Sequence, residues 1–128
     1  MPETLIPQLK DPEARQALLE AIVAVLERWE VPEKKQAELL GLPDIASLKS
    51  EKPIPDDTSI TERMGHLLAI DRALWKIFPY GSASHDRWIS TPDDKLGKKS
   101  PLEYMLAEGA EGISHVRDLL EMRLRRIH

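Results

Sequence analysis

Apolar residues recur at steps of three and four along most of this chain, and strand-like alternation is absent. That spacing is typical of amphipathic α-helices, each of which buries one face. We therefore predict an all-α protein. A long helix follows Asp11-Pro12-Glu13, another ends near Phe78, and a last one covers about 110–127. The predicted inward faces of the first two are Ala14, Ala17, Leu18, Ala21, Ile22, Val25, Leu26 and Trp29, then Ile60, Met64, Leu67, Leu68, Leu74, Trp75 and Phe78.

One acid, Asp71, falls in the middle of the second of these apolar faces. A carboxylate buried without a partner is costly, so two interpretations arise. The first is a paired Asp71 that locks helix packing, with Arg63, Arg72 or a backbone amide as its partner. The second is an acid exposed on a binding face. The first is favoured.

Helix boundaries in the first half are marked by capping residues. Pro12 follows a capping Asp11, and the box Ser59-Ile60-Thr61-Glu62 predicts the start of the second long helix. Between them, Pro32 opens a shorter helix that Gly41 closes. Ala37, four residues before Gly41, is typical of the first helix and turn of a helix-turn-helix.

The next helix, at about Pro43 to Ser50, would be the DNA-reading helix. Its composition departs from that role, because base-reading helices normally offer Arg, Lys, Asn or Gln, and acids are repelled by phosphates. A connecting helix that binds DNA weakly, or only within an assembly, is an equally good interpretation. The candidate DNA contacts are Ser47, Lys49 and Lys52.

The stretch from Trp88 to Leu120 contains the highest density of helix-capping and helix-ending residues in the chain. Thr91 is the predicted cap of a turn that Gly97 ends, and Ser100-Pro101-Leu102-Glu103 is a capping box with proline at the first helical position. Gly109 and Gly112 are both predicted to break the helix that this box begins, before the last helix starts.

This ordered string resembles the C-terminal toxin-binding domain of Xre/MbcA/ParS-type bacterial antitoxins, and the helices before it fit the same family. The resemblance extends over nearly the whole chain after about Ala14. It rests on Trp88, Pro92, Leu96, Gly97, Ser100, Pro101, Leu102, Tyr104, Met105, Leu106, Gly109, Gly112, Val116 and Leu120.

The resemblance implies an antitoxin of a type II toxin–antitoxin pair, which neutralises a RES-domain toxin, an enzyme that degrades NAD, by direct contact. It also implies a homodimer within the complex and repression of the operon by that complex. We divide the chain into a helix-turn-helix-like region, 1–56, and a C-terminal helical region, 57–128, with the toxin-binding domain at about 79–128. The candidate toxin contacts are Trp88, Pro92, Lys95, Leu96, Lys98, Lys99, Pro101, Leu102, Met105, Arg123, Arg125 and Arg126.

An alternative applies to several of these residues. Trp88 and Pro101 could hold the C-terminal region together without touching a toxin. The arginines at the end of the last helix could simply complement its dipole.

Charge separates the two halves of the chain. Residues 1–64 carry 8 Lys and Arg against 13 Asp and Glu, whereas the remainder carries 10 against 9. An acidic first half weighs against strong DNA binding by this chain alone. We therefore expect operator DNA to be bound weakly without the toxin, and a stand-alone helix-turn-helix regulator is the alternative function.

No motif for catalysis, a metal or a cofactor stands out, so we expect a binding protein rather than an enzyme. Glu62 with His66, and Glu111 with His115, are predicted surface pairs at helical spacing. Ser84-His85-Asp86 is not a triad, because adjacent side chains diverge. The absence of cysteine, of a leader sequence and of a long apolar run favours a cytoplasmic protein that does not enter membranes.

Overall fold

The computed structural model describes residues 11–49 and 57–127. Within these ranges the chain forms seven α-helices and one 3-10 helix; apart from an isolated bridge between Asp93 and Lys99 it has no β-structure. The all-α prediction is confirmed. The helices are α1 Pro12–Arg28, α2 Glu33–Leu40, α3 Ile45–Leu48, α4 Thr58–Ile77, α5 Ser82–Ser90, the 3-10 helix Asp94–Leu96, α6 Pro101–Glu108 and α7 Ala110–Ile127.

The core is built around α4, which packs most extensively on α7 and also contacts α1 and α2. α6 packs on α7, and α5 packs on α6. Buried side chains from both predicted regions form a single hydrophobic cluster. Its largest fully buried members are Trp29, Leu19, Ile22, Leu26, Leu39, Leu40, Met64, Leu67, Ile70, Leu74, Ile89 and Leu96.

Several helix boundaries follow the capping residues found in the sequence. Asp11 accepts a hydrogen bond from the Glu13 amide at 3.0 Å and begins α1. Gly41 ends α2 with a left-handed φ of 74°. The box before α6 is complete, since the Ser100 hydroxyl accepts from the Glu103 amide at 3.1 Å and the Glu103 carboxylate accepts from the Ser100 amide at 3.0 Å.

Two predicted caps are wrong. α4 is capped by Asp57, which accepts from the Ser59 amide at 2.8 Å, so Ser59 lies inside the first turn instead of capping it. The 3-10 helix is capped by Asp93, which accepts from the Lys95 amide at 2.8 Å. Thr91 instead ends α5, where its hydroxyl donates to the Arg87 carbonyl.

The predicted inward faces also need correction. In α1, Leu19 is fully buried while Ala17 and Ala21 are exposed, so the buried face is rotated from the predicted one. In α4, Ile70 is fully buried, whereas Trp75 keeps 39% of its surface exposed. Because α4 packs on α7, α1 and α2 from different sides, its buried surface is wider than one stripe.

Asp71 is buried and paired, as the favoured interpretation predicts, but its partner is none of the predicted ones. Its Oδ2 accepts from the Arg28 guanidinium of α1 at 3.2 Å. Of the two predicted arginine partners, Arg63 donates to the Leu39 carbonyl at 3.2 Å, near the C-terminal end of α2. A cation at that end satisfies a free carbonyl and complements the helix dipole.

Arg63 also lies beside two glycine turns. A Cβ built on Gly41 would stand 3.3 Å from the Arg63 guanidinium, and one built on Gly109 would stand 3.6 Å from it. Gly109 has a φ of 66° and separates α6 from α7. One side chain of α4 therefore joins the end of α2 to the α6–α7 turn.

Gly112 does not break a helix, contrary to the sequence prediction, because it lies inside α7. A Cβ at this position would stand 2.7 Å from the Glu108 Cβ and 3.1 Å from the Tyr104 carbonyl oxygen. The missing side chain lets α7 approach α6 closely at the turn. None of the described helices is long and apolar enough to cross a bilayer.

Replacing Gly112 by Ala is expected to destabilise the protein. The added methyl group cannot be accommodated without moving the α6 backbone, and such overpacking costs about 1–3 kcal/mol. We expect urea unfolding to show a lower midpoint with an unchanged slope.

Gly65→Ala is the matched control, since Gly65 lies in α4 with open space around the position of its Cβ. Removing a helical glycine there should raise stability by about 0.5–1 kcal/mol. Equal effects of the two substitutions would show that α6 and α7 do not meet at Gly112.

Candidate protein-binding surface

The helix-turn-helix-like segment offers little that could read DNA. α3 has only four residues, and Asp44 caps it by accepting from the Ser47 amide at 3.2 Å. Ser47 is 1% exposed, so its predicted role as a DNA contact is wrong. Lys49 is exposed and pairs with Glu33 at 3.6 Å, and Lys52 lies outside the described residues. α3 therefore offers little more than one helical turn to the major groove of DNA.

The C-terminal part contains a cluster in which Arg123 joins three segments. The Arg123 guanidinium of α7 donates to Asp93 at 3.0 Å and lies 5.7 Å from the centre of the Trp88 ring of α5. A cation over an indole ring contributes about 0.5–1 kcal/mol where solvent reaches it. Arg123 therefore contacts both Asp93 and Trp88, whereas Arg125 and Arg126 farther along α7 are exposed.

Asp93 organises the loop between α5 and α6. One carboxylate oxygen caps the 3-10 helix at the Lys95 amide, and the other accepts from Arg123. The Asp93 backbone N–H donates to the Lys99 carbonyl at 3.1 Å, and the Asp93 carbonyl accepts from the Lys98 amide at 3.0 Å. Gly97 makes the turn with a φ of 66°. With all of these groups bonded, the loop presents three exposed lysines, Lys95, Lys98 and Lys99.

The candidate toxin contacts divide into surface and core residues. Leu96 is 2% exposed and Met105 is fully buried, so neither can touch a partner, and both predicted contacts are corrected to core residues. Pro101 is also buried, at the first position of α6, and Leu102 is half-buried. The exposed candidates are Pro92, Lys95, Lys98, Lys99, Arg125 and Arg126, with Trp88 half-buried among them.

A cavity of about 250 Å³ lies beside Trp88, and the sequence did not reveal it. It is lined by Phe78 at the end of α4 and by Ser84, Arg87, Trp88 and Thr91. The last four are spaced i, i+3, i+4 and i+7, which places them on one face along α5. That spacing is the sequence signal for the α5 wall of the cavity, whereas the apolar pattern of α4 predicts a core position for Phe78.

The turn between α4 and α5 is held by a buried histidine. His85 is fully buried, and its Nε2 donates to the Phe78 carbonyl at 2.8 Å. Its ring also meets the Trp75 ring edge-on, at 4.3 Å between centroids. In the tripeptide Ser84-His85-Asp86, Ser84 lines the cavity, His85 enters the core and Asp86 interacts with Glu30.

The other two described histidines meet partners that the sequence did not predict. The Arg117 guanidinium donates to Nδ1 of His66 at 3.0 Å, which places the ring hydrogen of a neutral His66 on Nε2. His115 packs on the Tyr104 ring at 5.6 Å. Neither contact involves the predicted glutamate. In the described ranges, no three potential metal-binding side chains gather at one place.

Two carboxyl groups near this region have shifted acidities. The hydrogen bond and the negative charge of Asp86 raise the pKa of Glu30, which occupies a left-handed turn with a φ of 60° after α1. The hydrogen bond from the Ser100 backbone amide lowers the pKa of Glu103, and the Ser100 hydroxyl and the charge of Lys99 act in the same direction.

Glu30→Gln is expected to stabilise the protein at neutral pH. Folding raises the pKa of Glu30, so the Glu30 carboxyl favours the folded state fully only at pH values below its pKa in the unfolded chain. As pH rises through the pKa of Glu30 in the folded chain, this contribution to the free energy of unfolding is lost. The variant should therefore melt higher than the wild type near neutral pH, with the difference vanishing in acid. Thermal unfolding followed by circular dichroism across this range measures it.

Glu20→Gln, at an exposed position of α1, serves as the control and should show no such trend. If Glu30→Gln instead lost stability as pH rises, the Glu30–Asp86 repulsion would be refuted.

Comparison with protein-family models finds no match for this chain. The chain is 33% identical over 109 residues to the uncharacterized protein y4oB of Sinorhizobium fredii (strain NBRC 101917 / NGR234). The aligned region covers 82% of this chain and 82% of that protein. With this identity over most of both chains, the protein described here belongs to the same family as y4oB.

Proposed function

We propose that this chain is the antitoxin of a bacterial type II toxin–antitoxin pair and that it neutralises a RES-domain, NAD-degrading toxin by direct contact. The observation that carries the proposal is the Asp93-centred loop, whose hydrogen-bonded backbone carries the exposed Lys95, Lys98 and Lys99. The resemblance of the 88–120 string to antitoxin toxin-binding domains supplies the partner class.

The composition of this surface supports a protein partner. Trp and Arg are enriched at the energetic centres of protein interfaces, and here the Arg123 guanidinium lies over the Trp88 ring with both side chains half-buried. Exposed cations flank them on the loop and at the end of α7. In a chain with a formal charge of −4, these cations favour encounter with an acidic surface.

The proposal assigns DNA binding to the toxin–antitoxin complex. The four-residue α3, with Ser47 buried and Lys49 paired, does not favour strong binding by this chain alone. A homodimer within the complex would provide the second DNA-contacting half that dimeric regulators use.

Reversing charge on the loop tests the proposed contact. Lys98→Glu with Lys99→Glu should abolish rescue of cells that express the neighbouring toxin gene and should weaken the purified complex by about tenfold or more. Titration calorimetry of the two proteins gives the affinity, and circular dichroism confirms that the variant is folded.

The matched control is Lys34→Glu with Lys76→Glu, which makes the same charge change at two exposed lysines on α2 and α4. Rescue by both double variants would show that the loop does not contact the toxin. A neighbouring gene product that is harmless, or that this chain does not bind, would refute the proposed function itself.

A gel-shift experiment with the DNA upstream of the gene separates the two regulatory outcomes. We expect retention of the DNA by the complex at physiological salt and none by this chain alone, because the chain alone presents few phosphate contacts. Salt-dependent retention by the chain without a partner would favour the stand-alone regulator.

A further inference from the structure

The face of α5 that lines the cavity is partly exposed to solvent, although the opposite face of α5 is buried in the core. His85 and Ile89 on the opposite face are fully buried and join α5 to the core. Ser84, Arg87, Trp88 and Thr91 therefore line the cavity from the outer face of α5, and Phe78 contributes a further wall. A site on a fixed helix is preformed and needs little ordering when a ligand binds.

The size of the cavity indicates what kind of group it accepts. Its volume of about 250 Å³ lies below the range of about 300–1,000 Å³ that is usual for small-molecule and cofactor sites. A single bulky side chain of another protein is a better match. Anchors of this kind, inserted into a pocket at the centre of an interface, supply much of the binding energy.

The walls indicate the chemistry of that group. Phe78 and Trp88 contribute aromatic surface, which favours an apolar side chain. Arg87 is exposed, lines the cavity and makes no ion pair among the described residues. Arg123, the other cation near Trp88, is already paired with Asp93. Arg87 is thus the cation available to a carboxylate that enters beside the apolar group.

We propose that this cavity is the anchor site of the proposed interface: it takes a bulky apolar side chain of the partner protein, next to an Asp or Glu that pairs with Arg87. The proposal rests on the proposed function, because Trp88 belongs both to the cavity and to the proposed toxin-binding surface. It extends that surface from the cationic loop to the outer face of α5.

A small probe tests the cavity without the partner. 4-Phenylbutyrate carries an aromatic ring and a carboxylate, 4-phenylbutan-1-ol has the ring alone, and acetate has the carboxylate alone. We expect phenylbutyrate to give saturable NMR shifts of the Trp88 indole and the Thr91 amide with a millimolar Kd, and the alcohol to bind several-fold more weakly. Acetate should leave both signals in place, and Trp29, which is 2% exposed, is the internal control.

Substitution at Arg87 tests the ionic part of the site. Arg87→Gln should remove the preference for phenylbutyrate over the alcohol, and Arg87→Lys should keep most of it. No saturable shift with phenylbutyrate, or equal affinity for the acid and the alcohol in the wild type, would overturn the assigned ligand chemistry.

Filling the cavity tests its role in the complex. Ser84→Phe should occupy the space and weaken binding of the neighbouring gene product by about tenfold or more. Ala83→Phe adds the same ring at an exposed α5 position that does not line the cavity, and should bind as the wild type does. Ser84→Ala keeps the cavity open and should also bind normally.

The outcomes separate the two levels of the proposal. Normal binding by a folded Ser84→Phe variant would refute the anchor site and leave the proposed function standing. Failure of the wild-type chain to bind the neighbouring protein would refute the proposed function and, with it, the identity of the partner assigned to this cavity.

Discussion

The C-terminal surface depends on the two hydrogen bonds that the Asp93 carboxylate accepts. One of its oxygens begins the 3-10 helix, and the other holds Arg123, whose guanidinium lies over Trp88. A single acid thus connects α5, the lysine-bearing loop and α7. Without it, the loop would lose its cap and the end of α7 would lose its ion pair at the same time.

Local features of the fold were predictable from sequence because their causes are local. Asp11 before a proline, and Ser100 three residues before Glu103, act through hydrogen bonds to adjacent backbone amides. Gly41 lies in a left-handed turn, a backbone conformation that favours glycine at the end of a helix. At two helix starts, an acid and a nearby hydroxyl are both able to cap: Asp57 and Ser59 before α4, and Asp93 and Thr91 before the 3-10 helix. The sequence pattern alone does not decide which of the two is the cap.

Features that depend on tertiary packing were not predictable in this way. The tendency of glycine to end helices predicts a helix break at Gly112, but the role of this glycine comes from the closeness of α6. The partner of Asp71 lies 43 residues away in sequence, on α1. For the candidate site, the exposed lysines could be named from sequence, whereas the cavity could not, because one of its walls comes from the end of α4. The string behind the family resemblance includes core residues such as Leu96 and Met105, which specify shape and cannot contact a partner.

The position of Arg63 affects how the protein unfolds. Its guanidinium reaches the end of α2 on one side and lies next to the α6–α7 turn on the other, so it crosses the division between the two regions of the chain. Pulling those regions apart would strip the guanidinium of its carbonyl partner and open the shared core. Melting should accordingly occur as one cooperative event, and a fragment cut between α3 and α4 would expose the core residues that the other fragment covers in the intact chain.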